Sequence, residues 1–232
     1  LLICLAIALG TTVASLLISY YAEINTIKKT TERYMTQYIS FADRNFNSML
    51  EEAGKISLSV VTEQEVILPG MGDARKEASY ADYQQKKRMR SFLNGLMSQK
   101  DYIDNILLVT KEGRIYQASS DLIMKKDMKM PVMQKALALR KAGILFDRQA
   151  GDVLFCRPVI DAGETVGMNM VKLNYESLTG AYQIEPLKEA DIYIYGPEGD
   201  LFYTNVEETG GEDALYEQVR DKTAGPGYLD WN

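Results

Sequence analysis

The stretch NILLVTKEGRIYQ, residues 105–117, has the pattern of a β-hairpin: an apolar strand, a tight turn that contains Gly113, and a second strand. The stretch DIYIYGPEGDLFY, residues 191–203, aligns with it without gaps and places Gly199 where the first stretch has Gly113. Each hairpin opens a region in which helix and strand patterns alternate. The sequence therefore predicts a duplicated module.

The first copy continues with three further elements after the hairpin. A helix is predicted near residues 131–142, a strand pair around residues 144–159 with its turn at Ala150-Gly151-Asp152, and a last strand at residues 165–173. This order is typical of an α+β fold in which an antiparallel sheet carries helices to one side. A second copy of equal length would extend past Asn232, so we expect the second module to be incomplete.

The N-terminal stretch, residues 1–22, carries no charge. Roughly 20 apolar residues in a helix span a bilayer, and Tyr20 and Tyr21 stand where interfacial aromatic residues are expected. A cleaved secretory signal ending near Ala14 is the alternative, but the apolar run continues well past such a site. We expect one transmembrane helix over residues 1–22 and a remainder that lies across the membrane, outside the cytoplasm.

A second long helical pattern covers residues 23–61, which contain no proline and one glycine, Gly54. Its apolar residues recur every three or four positions and so form an apolar stripe along one face of the helix. This stripe can pack on the following domain or pair with a second copy of the chain. We expect core packing from Phe41 onward. For residues 24–38, the half nearer the membrane, core packing and self-association both stay open. The candidate positions of a homodimer seam are Ile24, Ile27, Thr31, Tyr34 and Tyr38.

Two further segments of the first module lie between the long helix and the hairpin. Residues 68–78 contain Pro69, Gly70 and Gly72, and this composition predicts a loop. A helix is predicted at residues 80–98, with its buried side formed by Phe92, Leu93, Leu96 and Met97.

Composition excludes several classes of function. The 232 residues contain no histidine, which excludes Ser-His-Asp catalysis and histidine-ligated zinc within the segment. Cys4 and Cys156 lie in such different contexts that no disulfide is expected. A net charge of −6 argues against a nucleic-acid partner. We expect neither a cofactor, a metal site nor catalysis in this segment, and interpret its methionine pairs as core.

The order of one span, one long helix and two PAS-like sheets resembles the extracytoplasmic double-Cache sensor region of bacterial histidine kinases and chemotaxis receptors. The segments LLVTKEGRIY, MPVMQKAL and ILFDRQAGDVLFCRPVI are most similar to sensor histidine kinases of the YesM type. The resemblance implies a transmembrane helix at 1–22, a juxtamembrane signalling helix at 23–61, a membrane-distal module at 62–183 and an incomplete membrane-proximal module at 184–232. A kinase outside this segment would then act on a cognate response regulator.

The resemblance also implies a ligand site in the membrane-distal module. Relatives that sense amino acids hold the ligand with an Arg and an aromatic pair before the central helix and with an Asp on the last strand. In this sequence Met130, Val132, Met133 and Lys172 stand at those positions. An α-amino acid is therefore not expected, and a cationic Lys172 favours a sugar or an organic anion.

Strand alternation adds further candidates for the lining of that site. Phe155 and Arg157 share one face of their strand, and Met168, Met170 and Lys172 share a face of theirs. Core packing and solvent exposure are the alternative roles for these side chains. The full candidate set is Tyr116, Met130, Met133, Phe155, Arg157, Met168, Met170 and Lys172.

These patterns predict the ligand-sensing input domain of a transmembrane receptor, in which binding shifts the long helix and so signals across the membrane. The output domain would be a histidine kinase. The alternatives are a chemotaxis receptor, a nucleotide cyclase, or a module that senses by contact with a solute-binding protein instead of a small molecule.

Overall fold

The computed structural model describes residues 2–71, 80–119, 131–147, 151–185, 191–195 and 201–206. Within these residues, five α-helices and a short 3₁₀ helix, Gly180–Tyr182, accompany seven strands. The helices are α1 Leu2–Thr62, α2 Gln64–Met71, α3 Tyr80–Met97, α4 Pro131–Ala138 and α5 Tyr175–Thr179. The strands are β1 Ile103–Thr110, β2 Ile115–Gln117, β3 Gly143–Asp147, β4 Asp152–Asp161, β5 Glu164–Asn174, β6 Tyr193–Tyr195 and β7 Leu201–Thr204.

The first five strands form one antiparallel sheet in the order β2-β1-β5-β4-β3. The predicted hairpin at residues 105–117 is confirmed as β1 and β2, and the predicted strand pair and last strand are confirmed as β3, β4 and β5. Strand β5 lies in the middle of the sheet and pairs with both β1 and β4. The helices and the antiparallel sheet together give the expected PAS-like α+β fold. The prediction that the helices lie to one side is wrong, because α1 and α4 pack on opposite faces of the sheet.

The two faces of the sheet carry separate apolar clusters because neighbouring residues of a strand point to opposite sides. We call them the α1 face and the α4 face, after the helices that cover them. The α1 face carries the buried residues Ile106, Leu108, Tyr116, Val153, Phe155, Val159, Val171 and Leu173, which cluster with residues of α1, α2 and α3. The α4 face carries Leu107, Val109, Leu154, Cys156, Met168 and Met170.

Helix α1 joins the core along its C-terminal third. The expectation that Phe41 belongs to the core is wrong, because Phe41 is 57% exposed, while Ala42 is fully buried and the partly buried Met35 already packs against the core. The helical period explains the difference: the stripe that meets the sheet runs one position C-terminal to the stripe that carries Phe41. Its fully or partly buried members are Ala42, Phe46, Met49, Leu50, Ala53, Ile56, Ser57 and Val60.

The N-terminal part of α1 extends away from the sheet. The five positions of the predicted dimer seam are exposed in the single chain. In the part of the chain that the structure describes, no helix is found that is long and apolar enough to cross a membrane.

The loop predicted at residues 68–78 is partly wrong. Helix α2 continues through Pro69 to Met71, and residues 72–78 lie outside the described residues. Tertiary contacts outweigh the local preference for a turn. Gly70 packs against the Met89 side chain and its carbonyl accepts a hydrogen bond from the Tyr116 hydroxyl at 2.9 Å, while Gln85 donates to the carbonyl of Val66 at 2.6 Å.

Strands β6 and β7 form the second predicted hairpin. Nearest the turn, Tyr195 lies opposite Leu201, which is the register of the first hairpin at the aligned positions. One residue further on, a bulge places Ile194 opposite Tyr203, so the two hairpins differ from that point. Most of the second module lies outside the described residues, and the duplication stays a prediction.

The turn between β4 and β5 consists of Ala162 and Gly163, and both have positive φ angles, 48° and 84°. A two-residue turn of this kind favours Asn-Gly, because a side chain with a Cβ is strained there and Asn tolerates the conformation best. We therefore expect Ala162→Asn to raise the free energy of unfolding by about 0.5–1 kcal/mol, measured by urea denaturation.

Gly163→Ala is the matched control for this turn. A Cβ at Gly163 would meet no atom within 4 Å, so its effect is confined to the backbone angle. We expect a loss of about 1 kcal/mol. A stability loss in Ala162→Asn would contradict this account of the turn.

Candidate ligand-binding site

Among the described residues, one short helix, α4, covers the α4 face of the sheet. Helix α4 begins at Pro131, a residue suited to the first helical turn because the missing N–H needs no partner there. Val132, Met133 and Ala136 then pack onto the strands. Eight residues of helix cover much less of the sheet than α1 covers on the opposite face.

A cavity of about 560 Å³ lies at one end of the α4 face, beside the β1–β2 turn. Its floor is apolar and formed in part by Val109 and Met168. The rim is more polar and comes from the turn, from the start of β5 and from α4. The lining residues are Val109, Thr110, Lys111, Glu112, Gly113, Gln134, Leu137, Thr165, Gly167 and Met168.

Local hydrogen bonds hold the turn in place beside the cavity. The Thr110 hydroxyl accepts a hydrogen bond from the Arg114 backbone N–H at 3.2 Å, and Gly113 has a φ of 80°, which favours glycine. Gly167 allows a close approach on the neighbouring strand, because a Cβ there would lie 2.6 Å from the carbonyl oxygen of Val109. The floor is therefore set by the two strands rather than by long side chains.

Lys172 lies toward the other end of β5, away from the cavity. Its Nζ is 2.5 Å from Oδ1 of Asp152, and the two side chains are 30% and 16% exposed. The positive charge of Lys172 thus has a partner within the chain, and a contact between Lys172 and a ligand stays a prediction. Strand register explains the pair, since β4 and β5 place Asp152 opposite Asn174, diagonally next to Lys172.

The predicted site residues divide between the two faces of the sheet. Met133, Met168 and Met170 belong to the α4 face, and alternation along β5 places Lys172 there as well. Of these, Met168 lines the cavity. Met130 lies outside the described residues.

The other three candidates belong to the α1 face, so the eight candidates do not share one cavity. Tyr116 is 6% exposed and bonds the backbone of α2. The Arg157 guanidinium carbon lies 5.7 Å from the ring centroid of Phe155, its Nε is buried, and among the described residues no acceptor bonds that atom. Desolvation by burial lowers the pKa of Arg157 from its usual value.

Sequence reasoning missed most of the cavity lining, including Thr110, Gln134, Leu137 and Thr165. These side chains come together because α4 crosses near the end of the sheet, which strand alternation cannot predict. The Glu-Gly turn was the available clue, since loops at the end of a sheet often form binding sites. Within the described residues, no group of three Cys, Asp or Glu side chains is placed to hold a metal ion.

Comparison with solved structures identifies the fold. The ligand-binding domain of a Campylobacter jejuni chemoreceptor, in complex with 4-methylisoleucine, matches with a TM-score of 0.50 at 10% identity, over 76% of this chain and 70% of that one. A domain of a sensory box/GGDEF family protein from Vibrio parahaemolyticus matches with a TM-score of 0.50 at 12% identity, over 79% and 74%. The chain has the fold of these sensor domains.

A third similar structure is the ligand-binding domain of the Pseudomonas aeruginosa amino-acid chemoreceptor PctC in complex with GABA. It has a TM-score of 0.49 at 12% identity, over 82% of this chain and 81% of that one. No family model matches the chain. No curated protein matches it either.

Cys156 provides a test of how tightly α4 closes its face of the sheet. The side chain is fully buried, and burial raises the pKa of the thiol to about 12, so the thiolate is scarce at neutral pH. In a Cys4→Ser variant we expect no labelling by iodoacetamide at pH 8 in the native state and complete labelling in urea. Rapid native labelling would contradict the packing of α4.

Proposed function

We propose that the chain is the extracytoplasmic ligand-sensing domain of a membrane receptor, and that a small molecule binds in the cavity beside α4. The observation that carries the proposal is the position of this cavity in a sensor fold, on the sheet face opposite the long helix. Its volume of about 560 Å³ lies within the range of about 300–1,000 Å³ that small-molecule sites occupy. Apolar floor and polar rim are the usual composition of such sites.

Signal transmission in this proposal passes through the sheet to α1. Asn169, on β5, faces α1 and accepts a hydrogen bond from the Ser57 hydroxyl at 2.8 Å. Two residues earlier on the same strand, Gly167 lines the cavity. If a ligand binds more tightly when β5 is in one of two placements, it stabilises that placement and so shifts the equilibrium position of α1.

The receptor that we propose is a sensor histidine kinase of the YesM type with two tandem modules, which acts on a response regulator. A chemotaxis receptor and a nucleotide cyclase remain as alternative outputs for the same domain, and contact with a solute-binding protein remains as an alternative input. The domain boundaries at residues 22, 61 and 183 belong to this proposal.

Two surfaces of α1 support the proposed membrane location and homodimer. Near its N-terminus, Leu9, Leu16 and Ile18 are each at least 66% exposed, in the uncharged stretch that we propose as the membrane anchor. Further along, Ile27 and Tyr34 of the predicted dimer seam are 65% and 51% exposed. Lipid would cover the first surface and a second copy of the chain the other.

The ligand class that we propose is a sugar or an organic anion rather than an α-amino acid. Val132 and Met133, where amino-acid-sensing relatives would carry aromatic side chains, are buried in the core in this chain. Lys172 replaces the expected Asp and is paired with Asp152.

The test of ligand binding is a thermal-shift screen of the full chain against sugars, organic acids and amino acids. At 100 times its Kd a ligand adds about 2.7 kcal/mol of stability, which we expect to raise Tm by about 5–10 °C. Thr165→Trp should abolish the shift because the indole fills the cavity from its rim. Lys135→Trp, on the exposed side of α4 and outside the lining, should retain it.

The outcomes of this screen are distinct. A shift that survives Thr165→Trp would place the ligand elsewhere on the domain. Absence of any shift, together with capture of a purified solute-binding protein, would replace direct sensing with sensing through that partner.

The proposed dimer seam has its own test in the full-length receptor. Ile27→Asp with Tyr34→Asp places two charges in the seam, which we expect to abolish dimerisation in crosslinking and signalling in cells while ligand binding persists. Lys29→Asp with Thr36→Asp is the matched control, with the same spacing on another exposed face of α1. Equal signalling by both pairs would contradict the seam.

A further inference from the structure

We propose that Ser57 and Arg157 are alternative hydrogen-bond donors to one buried acceptor, the side-chain carbonyl oxygen of Asn169. This oxygen bonds Ser57 in the described position of α1 and takes Arg157 as its donor when α1 moves along the sheet. The exchange lowers the free-energy cost of that movement and makes Arg157 a positioning residue for α1. Its role as a switch rests on the proposed function, in which the position of α1 carries the signal.

The acceptor is held in place by the neighbouring strand. The Asn169 side chain is fully buried, and its Nδ2 donates to the carbonyl of Leu107 on β1 at 3.1 Å. Strand β5 lies between β1 and β4, so an amide whose nitrogen is bonded to β1 turns its oxygen away from β1. That oxygen accepts the hydrogen bond from the Ser57 hydroxyl at 2.8 Å, and a carbonyl oxygen has a second lone pair.

Arg157 provides an unused donor next to this oxygen. The residue lies opposite Asn169 in the register of β4 and β5, which places the two side chains on the same face of the sheet. Its contact with Phe155 supports this placement, because the Phe155 ring belongs to the cluster under α1. The Nε of Arg157 is buried, and among the described residues no acceptor bonds it. A buried donor without an acceptor is unfavourable, so a new acceptor would stabilise it.

The distance between the two side chains allows the new bond. Residues directly opposite each other in an antiparallel pair have Cβ atoms about 4.5–5.5 Å apart, and the aliphatic arm of an arginine spans such a gap. In the described arrangement the guanidinium of Arg157 lies over the Phe155 ring, 5.7 Å from its centroid. Rotation about the bonds of the arm would bring Nε to the Asn169 oxygen without a change in the strands.

A shift of α1 that carries Ser57 away from β5 gives every polar group of this cluster a partner. Asn169 gains Arg157 as its donor, and the Ser57 hydroxyl can donate to the backbone carbonyl one turn earlier in α1. Ser59 of the same helix already bonds in this way, to the carbonyl of Lys55 at 3.1 Å. The two positions of α1 therefore differ little in hydrogen bonding, as a two-position element requires.

A double-mutant cycle in the full chain tests the exchange, with the folding equilibrium constant from urea denaturation as the readout. Ser57→Ala removes the first donor, and Arg157→Met removes the second donor and keeps an apolar arm. With Arg157 present the second donor compensates, so we expect Ser57→Ala to lower the constant by about twofold or less. In the Arg157→Met background we expect Ser57→Ala to lower it by about tenfold, because no second donor is present.

Two control variants separate Nε from the other properties of Arg157. Arg157→Lys keeps the positive charge but carries a methylene in place of Nε, and we expect it to behave as Arg157→Met does. Arg88→Met makes the same change at an exposed position of α3 and should leave the effect of Ser57→Ala unaltered. Losses from Ser57→Ala that agree within about twofold with and without Arg157 would overturn the inference, and so would compensation by the lysine.

NMR observes the second donor directly. The Nε–H signal of Arg157 is assigned by its absence in Arg157→Lys. We expect this hydrogen to exchange with solvent more slowly in Ser57→Ala than in the unchanged chain, because a hydrogen-bonded N–H is protected from exchange. A purely structural role of Arg157 would leave the rate unaltered, and that result would refute the exchange of donors.

Neither measurement needs a ligand, so failure of the inference and failure of the proposed function give different results. If the cycle is additive in a chain that binds a ligand, and Thr165→Trp blocks that ligand, the cavity is a sensor site and the exchange of donors is wrong. If the cycle is non-additive in a chain that binds no ligand, the exchange is supported and direct sensing at the cavity is wrong.

Discussion

The side chain of Asn169 is fully buried in the middle of the sheet and joins three elements through two hydrogen bonds. Its Oδ1 accepts from the Ser57 hydroxyl on α1 at 2.8 Å, and its Nδ2 donates to the carbonyl of Leu107 on β1 at 3.1 Å. Buried polar groups are costly when they lose a partner, so these bonds fix α1 at one position along β5. The apolar residues around Ser57 supply most of the burial energy but tolerate sliding far better, because the hydrophobic effect is not directional.

The two faces of the sheet are covered by helices of very different length. A long helix on one face buries a continuous apolar stripe there. In the described part of the chain the other face is covered by the eight residues of α4, and the cavity lies between the end of this helix and the β1–β2 turn. Every strand of the sheet contributes to both faces, so a ligand on one face acts on the same strands that hold α1 on the other.

Much of the fold could be predicted from sequence, because alternation and turn residues are local properties. The hairpin at residues 105–117 and the helix of residues 80–98 are examples. The site was harder, since alternation tells which residues of a strand share a face but not which helix covers that face. Tyr116 and Arg157 thus lie on the α1 face, and Lys172 has a partner, Asp152, that depends on the register between strands. The path of α2 through Pro69 likewise depends on tertiary contacts.

The second hairpin rests on the same helix that Asn169 holds. Phe202 of β7 lies 5.5 Å from the ring of Phe46 on α1 and 4.5 Å from the ring of Phe146 on β3, and its carbonyl accepts a hydrogen bond from the Tyr175 hydroxyl at 3.1 Å. Phe202 therefore contacts both α1 and the edge of the first sheet. A displacement of α1 along the sheet must move the hairpin with the helix or separate Phe202 from Phe146. Aromatic contacts adjust to small shifts at less cost than the Asn169 hydrogen bonds, so such a movement would meet its greater resistance at Asn169.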